Sequence, residues 1–159
     1  MKITILTVGK IKERFFRDAI DEYSKRLGKY CTLEIKEVSD EKTAESMSAA
    51  EEKQVKDKEG SRLLKYIKEG DYVITLEIEG VNLDSPSLAD KINKLCISGK
   101  SSITFIIGGS LGLSDEIKDL ADYKLSFSKM TFPHQLMRVI LLEQLYRSFR
   151  IINNEPYHK

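Results

Sequence analysis

The residues with which this chain could do chemistry lie in two loops, one helix and the closing residues. Gly108-Gly109-Ser110-Leu111-Gly112-Leu113 and Ser126-Phe127-Ser128-Lys129-Met130-Thr131-Phe132-Pro133 each follow a short apolar run and lead into a helical pattern. They read as strand-loop-helix junctions, and in open α/β sheets such junctions, at the carboxyl ends of strands, are where ligands bind. The glycine loop is not a phosphate cradle. It lacks the glycine spacing of a dinucleotide fingerprint and the Gly-Lys-Ser/Thr of a Walker loop, and Asp115 and Glu116 just after it would repel an anion. Taken alone it is a tight turn that uses glycine for positive φ. A third loop, around Leu76 to Gly80, also follows a strand. The three share Leu, Gly, Ser, Met and Phe, a lining suited to an uncharged aromatic group such as adenine held by backbone atoms.

Further on, Glu143 and Arg147 stand one helical turn apart, with Arg150 on the same narrow arc. On a lone helix such a pair is a surface salt bridge worth a few tenths of a kcal/mol. The residues around it are apolar almost all round, however. Val139, Leu142, Leu145, Tyr146 and Phe149 form one side and Leu136, Ile140 and Leu141 extend it, so this helix is expected to be buried on both sides. A homodimer interface would supply the second apolar partner. The chain then closes on Asn153-Asn154-Glu155-Pro156-Tyr157-His158-Lys159. Chain ends commonly fray, yet Tyr157, His158 and Lys159 have the types that stack on a nucleobase and pair with its phosphate. His134, after Pro133, reads as a helix-start residue with no catalytic role.

The elements that must position these residues follow from periodicity. Lys2–Val8 is a β-branched run of the kind buried in a parallel sheet, ended by Gly9. Lys12–Lys29 repeats Phe15, Phe16, Ala19, Ile20, Tyr23 and Leu27 at helical spacing. Cys31–Val38 alternates as a half-exposed strand. Residues 41–69 read as a long solvated helix whose first half has little apolar surface to hold it. Asp71–Ile78 is a third strand. Ser85-Pro86 is a helix start with Ser85 as cap, Gly99 its stop, and Ser101–Ile107 and Tyr123–Phe127 are the last two strands. Ser114 caps the short helix between them, and Pro133 opens the long one. Alternating strands and helices predict an α/β fold with a mainly parallel sheet flanked by helices.

With 159 residues the chain fits one domain, spanning residues 1–159, large enough to bury a core without metal or disulfides. Cys31 and Cys96 are isolated, and two histidines argue against zinc, so no metal is expected. No run is long enough to span a bilayer, and the opening residues read as a strand instead of a signal peptide, which places the protein in the cytoplasm. A net charge of +1 excludes bulk positive field as the means of gripping nucleic acid. The distribution is uneven, though. Residues 10–30 carry seven basic against four acidic side chains and 129–159 five against two, while 31–128 carry thirteen against nineteen. Two basic ends permit a local polyanion-binding face.

Four stretches in order carry a resemblance: Ile106 to Gly112, Ser128 to His134, Glu143 to Arg147, and Asn154 to His158. With the chain length and the opening Met1 to Gly9, they closely resemble the small bacterial methyltransferases of the SPOUT class that methylate N3 of a pseudouridine in large-subunit ribosomal RNA. The resemblance implies that the carboxyl-terminal part forms a deep trefoil knot, a topology that chain-connection rules would otherwise exclude. It also implies a homodimer acting on the assembled ribosome. S-adenosylmethionine would be held by Leu76, Gly108, Phe127, Ser128, Lys129, Met130, Thr131 and Phe132. Arg147 would be the cation beside the pyrimidine, and Tyr157 and His158 candidates for proton acceptor or stacking partner. Two other classes compete. A noncatalytic RNA-binding module would explain the basic ends and bind no small molecule, and an α/β enzyme of different chemistry would bind a phosphorylated nucleotide.

Overall fold

Each β-branched run becomes a strand and each amphipathic run a helix in the computed structural model, which describes residues 1–159. The order is β1 (Lys2–Val8), α1 (Arg14–Leu27), β2 (Thr32–Val38), α2 (Ala49–Leu64), β3 (Tyr72–Asn82), α3 (Ser85–Ile97), β4 (Ser102–Ile107), α4 (Asp115–Asp119), β5 (Tyr123–Ser126) and α5 (His134–Ile152). The strands form one sheet in the order β2-β1-β4-β3-β5, every pair parallel. Side chains alternate through it as the pleat requires. Ile3 and Ile5 of β1 face a core completed by Leu27, Leu88, Ile92, Leu141, Leu145 and Phe149 from α1, α3 and α5. Leu6 and Val8 face a smaller core with Leu63, Leu113 and Ile117 from the α2 and α4 side. No helix is long and apolar enough to cross a membrane.

Four expectations change in detail. The cap of α3 is Asp84, whose carboxylate accepts from Ser87 N at 2.8 Å, so Ser85 is already helical and Pro86 lies within the first turn. The helix in 41–69 starts only at Ala49, where Ser48 and Glu51 cap each other reciprocally. It is also less solvated than its composition suggests, because Glu59 and Gly60 are buried. Third, β3 does not stop at Ile78. It bulges between Leu76 and Val81 and then pairs with β5 again through Val81↔Leu125 and Asn82↔Ser126. Gly80 permits this, since a Cβ there would stand 2.7 Å from the Lys124 carbonyl oxygen.

The fourth change concerns α5. It packs against both α1 and α3 within its own chain, and Leu142 and Leu145 are fully buried there. Its apolar circumference is therefore consumed by the protein's own core and is not by itself an argument for a second subunit. At its first turns a buried arginine does the anchoring. Arg138, 2% exposed, donates to the Val8 carbonyl at 3.0 Å, to the Gly9 carbonyl at 2.7 Å and to Glu37 at 2.9 Å. Burial presses its pKa down while Glu37 presses it up. Such a charge is tolerable inside a protein only when paired and hydrogen-bonded, and here the pairing ties the start of α5 to the ends of β1 and β2.

Candidate active site

The strand order sets β4, β3 and β5 side by side, so the three loops at their carboxyl ends converge. Between them lies a cleft of about 650 Å³ including its open mouth, lined by nine hydrophobic residues among sixteen. Its concave, mostly apolar lining suits a small-molecule cofactor. Leu76, Gly108, Phe127, Ser128, Met130, Thr131 and Phe132 all line it. Lys129 does not; it is exposed beside the mouth. Glu77, His134 and Met137 also line the cleft, and sequence reasoning did not select them. Glu77 was hidden because it lies on a strand read for its apolar pattern, and His134 because a helix start offers a sufficient structural account.

The glycines have distinct jobs. Gly112 takes the positive φ, 89°, and closes a tight turn by donating to the Gly109 carbonyl at 3.1 Å. Gly108 is needed for space instead: a Cβ there would meet the Gly112 backbone at 2.8 Å and Leu113 at 3.1 Å. Gly109 backs onto buried Glu59, whose carboxylate would lie 2.9 Å from an added Cβ. The third wall is the segment after β5, shaped by Met130 N donating to the Ser128 hydroxyl at 2.9 Å. Arg138 fixes the far end of that wall through α5. Apolar sides, close backbone and few polar atoms fit an adenine-bearing cofactor, and no polyphosphate cradle is present to fit a nucleoside triphosphate.

A second cluster forms on α5 and the closing residues. Arg147 donates to Glu143 through Nη2 at 2.6 Å and Nε at 3.1 Å, and its guanidinium lies over the Tyr157 ring at 4.7 Å. The Tyr157 hydroxyl donates to the same Glu143 oxygen at 3.1 Å, and its ring meets Tyr146 edge-on at 5.0 Å. Burial first, and then the neighbouring Glu143 carboxylate, push the Tyr157 phenol up to about 12. It therefore stays protonated at neutral pH and acts as a donor. His158 Nδ1 is 3.4 Å from Arg147 Nη1. An arginine can only donate, so a hydrogen bond between the two has Nδ1 as its acceptor. His158 also lines a second cavity with Ser85, Ile140 and Gln144, and this cavity shares Leu125 and Phe127 with the cleft. Within one chain, Phe127 is thus part of the wall between the arginine cluster and the cleft.

The closing residues are not frayed. Asn154 takes a left-handed turn, φ 53°, and Glu155 then receives Lys29 at 3.2 Å, Arg150 at 2.7 Å and the Tyr30 hydroxyl. The Tyr30 hydrogen bond, followed by Lys29 and Arg150, holds Glu155 below its ordinary carboxylate range. A depressed carboxylate stabilises the fold above its unfolded pKa, about 4.3, and that support is lost as pH falls through the folded value. Glu155→Gln should therefore loosen the tail at neutral pH as acid does in the parent. Carboxypeptidase trimming, followed by mass spectrometry, should remove Tyr157 and His158 faster from the variant at pH 7; equal rates would show that Glu155 is not the anchor.

Comparison with known proteins decides the family. Residues 1–158 match the family model described as "Predicted SPOUT methyltransferase". The chain belongs to the SPOUT methyltransferase family. As a SPOUT chain it is an enzyme, a methyltransferase that uses S-adenosylmethionine. It is 66% identical to a protein of Methanococcus maripaludis named as a putative ribosomal RNA large subunit methyltransferase H. It is 62% identical to the ribosomal RNA large subunit methyltransferase H of Bifidobacterium adolescentis; both matches run over 159 residues and the full length of both chains. Among solved structures, a probable methylase family protein from Haemophilus influenzae matches with a TM-score of 0.51 at 12% identity, over 99% of this chain and 70% of that one, a likeness of fold alone.

Proposed function

We propose that this protein transfers a methyl group from S-adenosylmethionine to N3 of a pseudouridine in large-subunit ribosomal RNA, acting in the cytoplasm on the assembled ribosome. The observation that carries the reading is the convergence of three strand ends on one apolar cleft, with His158, which neighbours Arg147, lining the cavity on the other side of its Phe127 wall. The 62% identity to a ribosomal RNA large subunit methyltransferase H supports the choice of substrate. The cofactor supplies an electrophilic methyl on sulfur; the chain's residues supply the rest. Leu76, Gly108, Phe127, Ser128, Met130, Thr131 and Phe132 hold the cofactor, so that attack distance is set before the base arrives. Lys129 stands outside the cleft and meets solvent or RNA phosphate. Arg147 favours the anionic pyrimidine with a permanent charge. His158, released from Arg147 as the base enters, takes the N3 proton, and Tyr157 donates to Glu143 and holds it against the arginine. Incubating undermodified ribosomes with methyl-labelled S-adenosylmethionine and mapping the label tests this. Label on one large-subunit pseudouridine is expected; no transfer, or binding of ATP or NAD instead, would overturn it.

The same reading includes one domain over residues 1–159, the knotted carboxyl-terminal path and a homodimer. The path from β5 at the sheet edge to α5, pinned by Arg138 against β1, supports the knot. Support for the dimer comes from α1. Only Leu27 of that helix is buried, and Phe15 is 64% exposed beside Phe16 at 4.3 Å, outside the main core cluster. Ile20 and Tyr23 of the same helix pack on the core, which leaves the exposed phenylalanine at its start to call for a partner. Light scattering at micromolar concentration should give twice the chain mass, and Phe15→Glu should give the monomer mass. A dimer untouched by the substitution would move the interface elsewhere, and a monomeric parent would remove it.

A further inference from the structure

We infer that Glu77 fixes which way round the cofactor lies, by receiving the ammonium group of its amino-acid arm. The inference rests on the S-adenosylmethionine reading above. Glu77 is the one carboxylate among the residues lining the cleft, and none of the chain's salt bridges involves it. Its charge is nevertheless held in place. Thr75, fully buried two positions earlier on the same face of β3, donates its hydroxyl to Glu77 Oε1 at 2.6 Å. That leaves the second oxygen without a partner in the protein. A half-buried carboxylate facing an apolar cleft is unfavourable unless a cation or donors meet it.

The cleft's polarity then orients the ligand. Leu76, Ile107, Leu113, Leu125 and Phe132 are buried or half-buried and make the interior, while Ile78 and Met130, 44% and 73% exposed, mark the mouth. A flat adenine belongs inside, which leaves the charged arm at the mouth. Glu77, next to Ile78 where β3 begins to bulge, stands there. The remaining ionisable lining residue, His134, lies toward Gly9 and Asp40 at the β1 end. Charge-assisted hydrogen bonds of this kind are about twice as strong as neutral ones, so the contact decides affinity as well as direction.

Two ligands that differ in the arm test this. S-adenosylhomocysteine has the amino-acid arm, and 5′-methylthioadenosine lacks it. By calorimetry on the full chain, Glu77→Gln should weaken S-adenosylhomocysteine about tenfold or more and leave 5′-methylthioadenosine within about twofold, which also shows that the cleft is intact. Equal losses for both would place the carboxylate on the nucleoside or in the fold, and no loss for either would leave it without a ligand; both results overturn the inference. Failure of the unsubstituted protein to bind either compound would instead overturn the S-adenosylmethionine reading itself, before any variant is made.

Discussion

Gly108→Val is expected to abolish S-adenosylmethionine binding. The turn Gly108 to Leu113 folds back so closely that even a methyl group at 108 would meet the Gly112 carbonyl carbon at 2.8 Å, a separation that backbone atoms cannot yield cheaply. Valine adds two further methyls, so the loop must move away from β3 and the cleft loses its common wall. Affinity should drop by on the order of 10³-fold, past the reach of a calorimeter, with methyl transfer falling alongside it. Because Ile107 and Leu113 flank the turn and belong to the two cores, the melting temperature needs to be read in parallel. Phe132→Ala, which leaves every backbone atom in place, guards the interpretation. It should weaken binding by roughly tenfold, since the ligand would leave one face of its apolar surface in water where the ring had covered it. Normal affinity in both variants would move the cofactor out of this cleft.

Arg147→Ala should separate chemistry from binding. Arg147 does not line the cleft, so cofactor affinity should stay within about twofold. Single-turnover methylation should fall on the order of 10²-fold, the usual cost of removing one preorganised charge from a developing anion. A purely structural role predicts the opposite order of effects, with stability lost first. That loss should be small here, because Glu143 keeps the Tyr157 hydroxyl and the Gln144 amide as donors and a partly exposed ion pair contributes under about 1 kcal/mol. A chain ending at Glu155 should resemble Arg147→Ala in turnover, since it lacks Tyr157 and His158 yet keeps the anchor. Full activity in that truncated chain would dismiss the tail from the mechanism, and full activity in Arg147→Ala would dismiss the arginine.

Periodicity made the type and order of the elements legible from Lys2–Val8 to the long last helix, with two of them misplaced at their ends: β3 runs on to Asn82 and α2 is only Ala49–Leu64. Their neighbours were not legible, because strand order is decided by long-range packing that no local pattern encodes. Hence the alternation of Ile74 and Leu76 marked β3 but said nothing of β5 returning to pair with Val81. Likewise the apolar circumference of α5 correctly signalled burial on two sides, yet intramolecular helices supplied both. The site divided in the same way. Loops with glycine, serine and small apolar residues could be picked out by composition, whereas Glu77 and Arg138 acquire meaning only from where they end up. A carboxylate after an apolar strand, or one arginine in a helix rich in them, carries no signal until its surroundings are known. The closing residues were the reverse case: their types suggested a role, and a lattice of ion pairs to Glu155 explains why they hold still.

The wall from Phe127 to Pro133 is seven residues long, and it is fastened at one end by β5 and at the other by Arg138 through the first turns of α5. A short strap fixed at both ends has little conformational freedom left to surrender. The ordering that a floppy binding loop undergoes when its ligand arrives has been completed here during folding. Recognition by such a strap is correspondingly unforgiving of shape, and a molecule that does not match the slot cannot make the slot remodel around it.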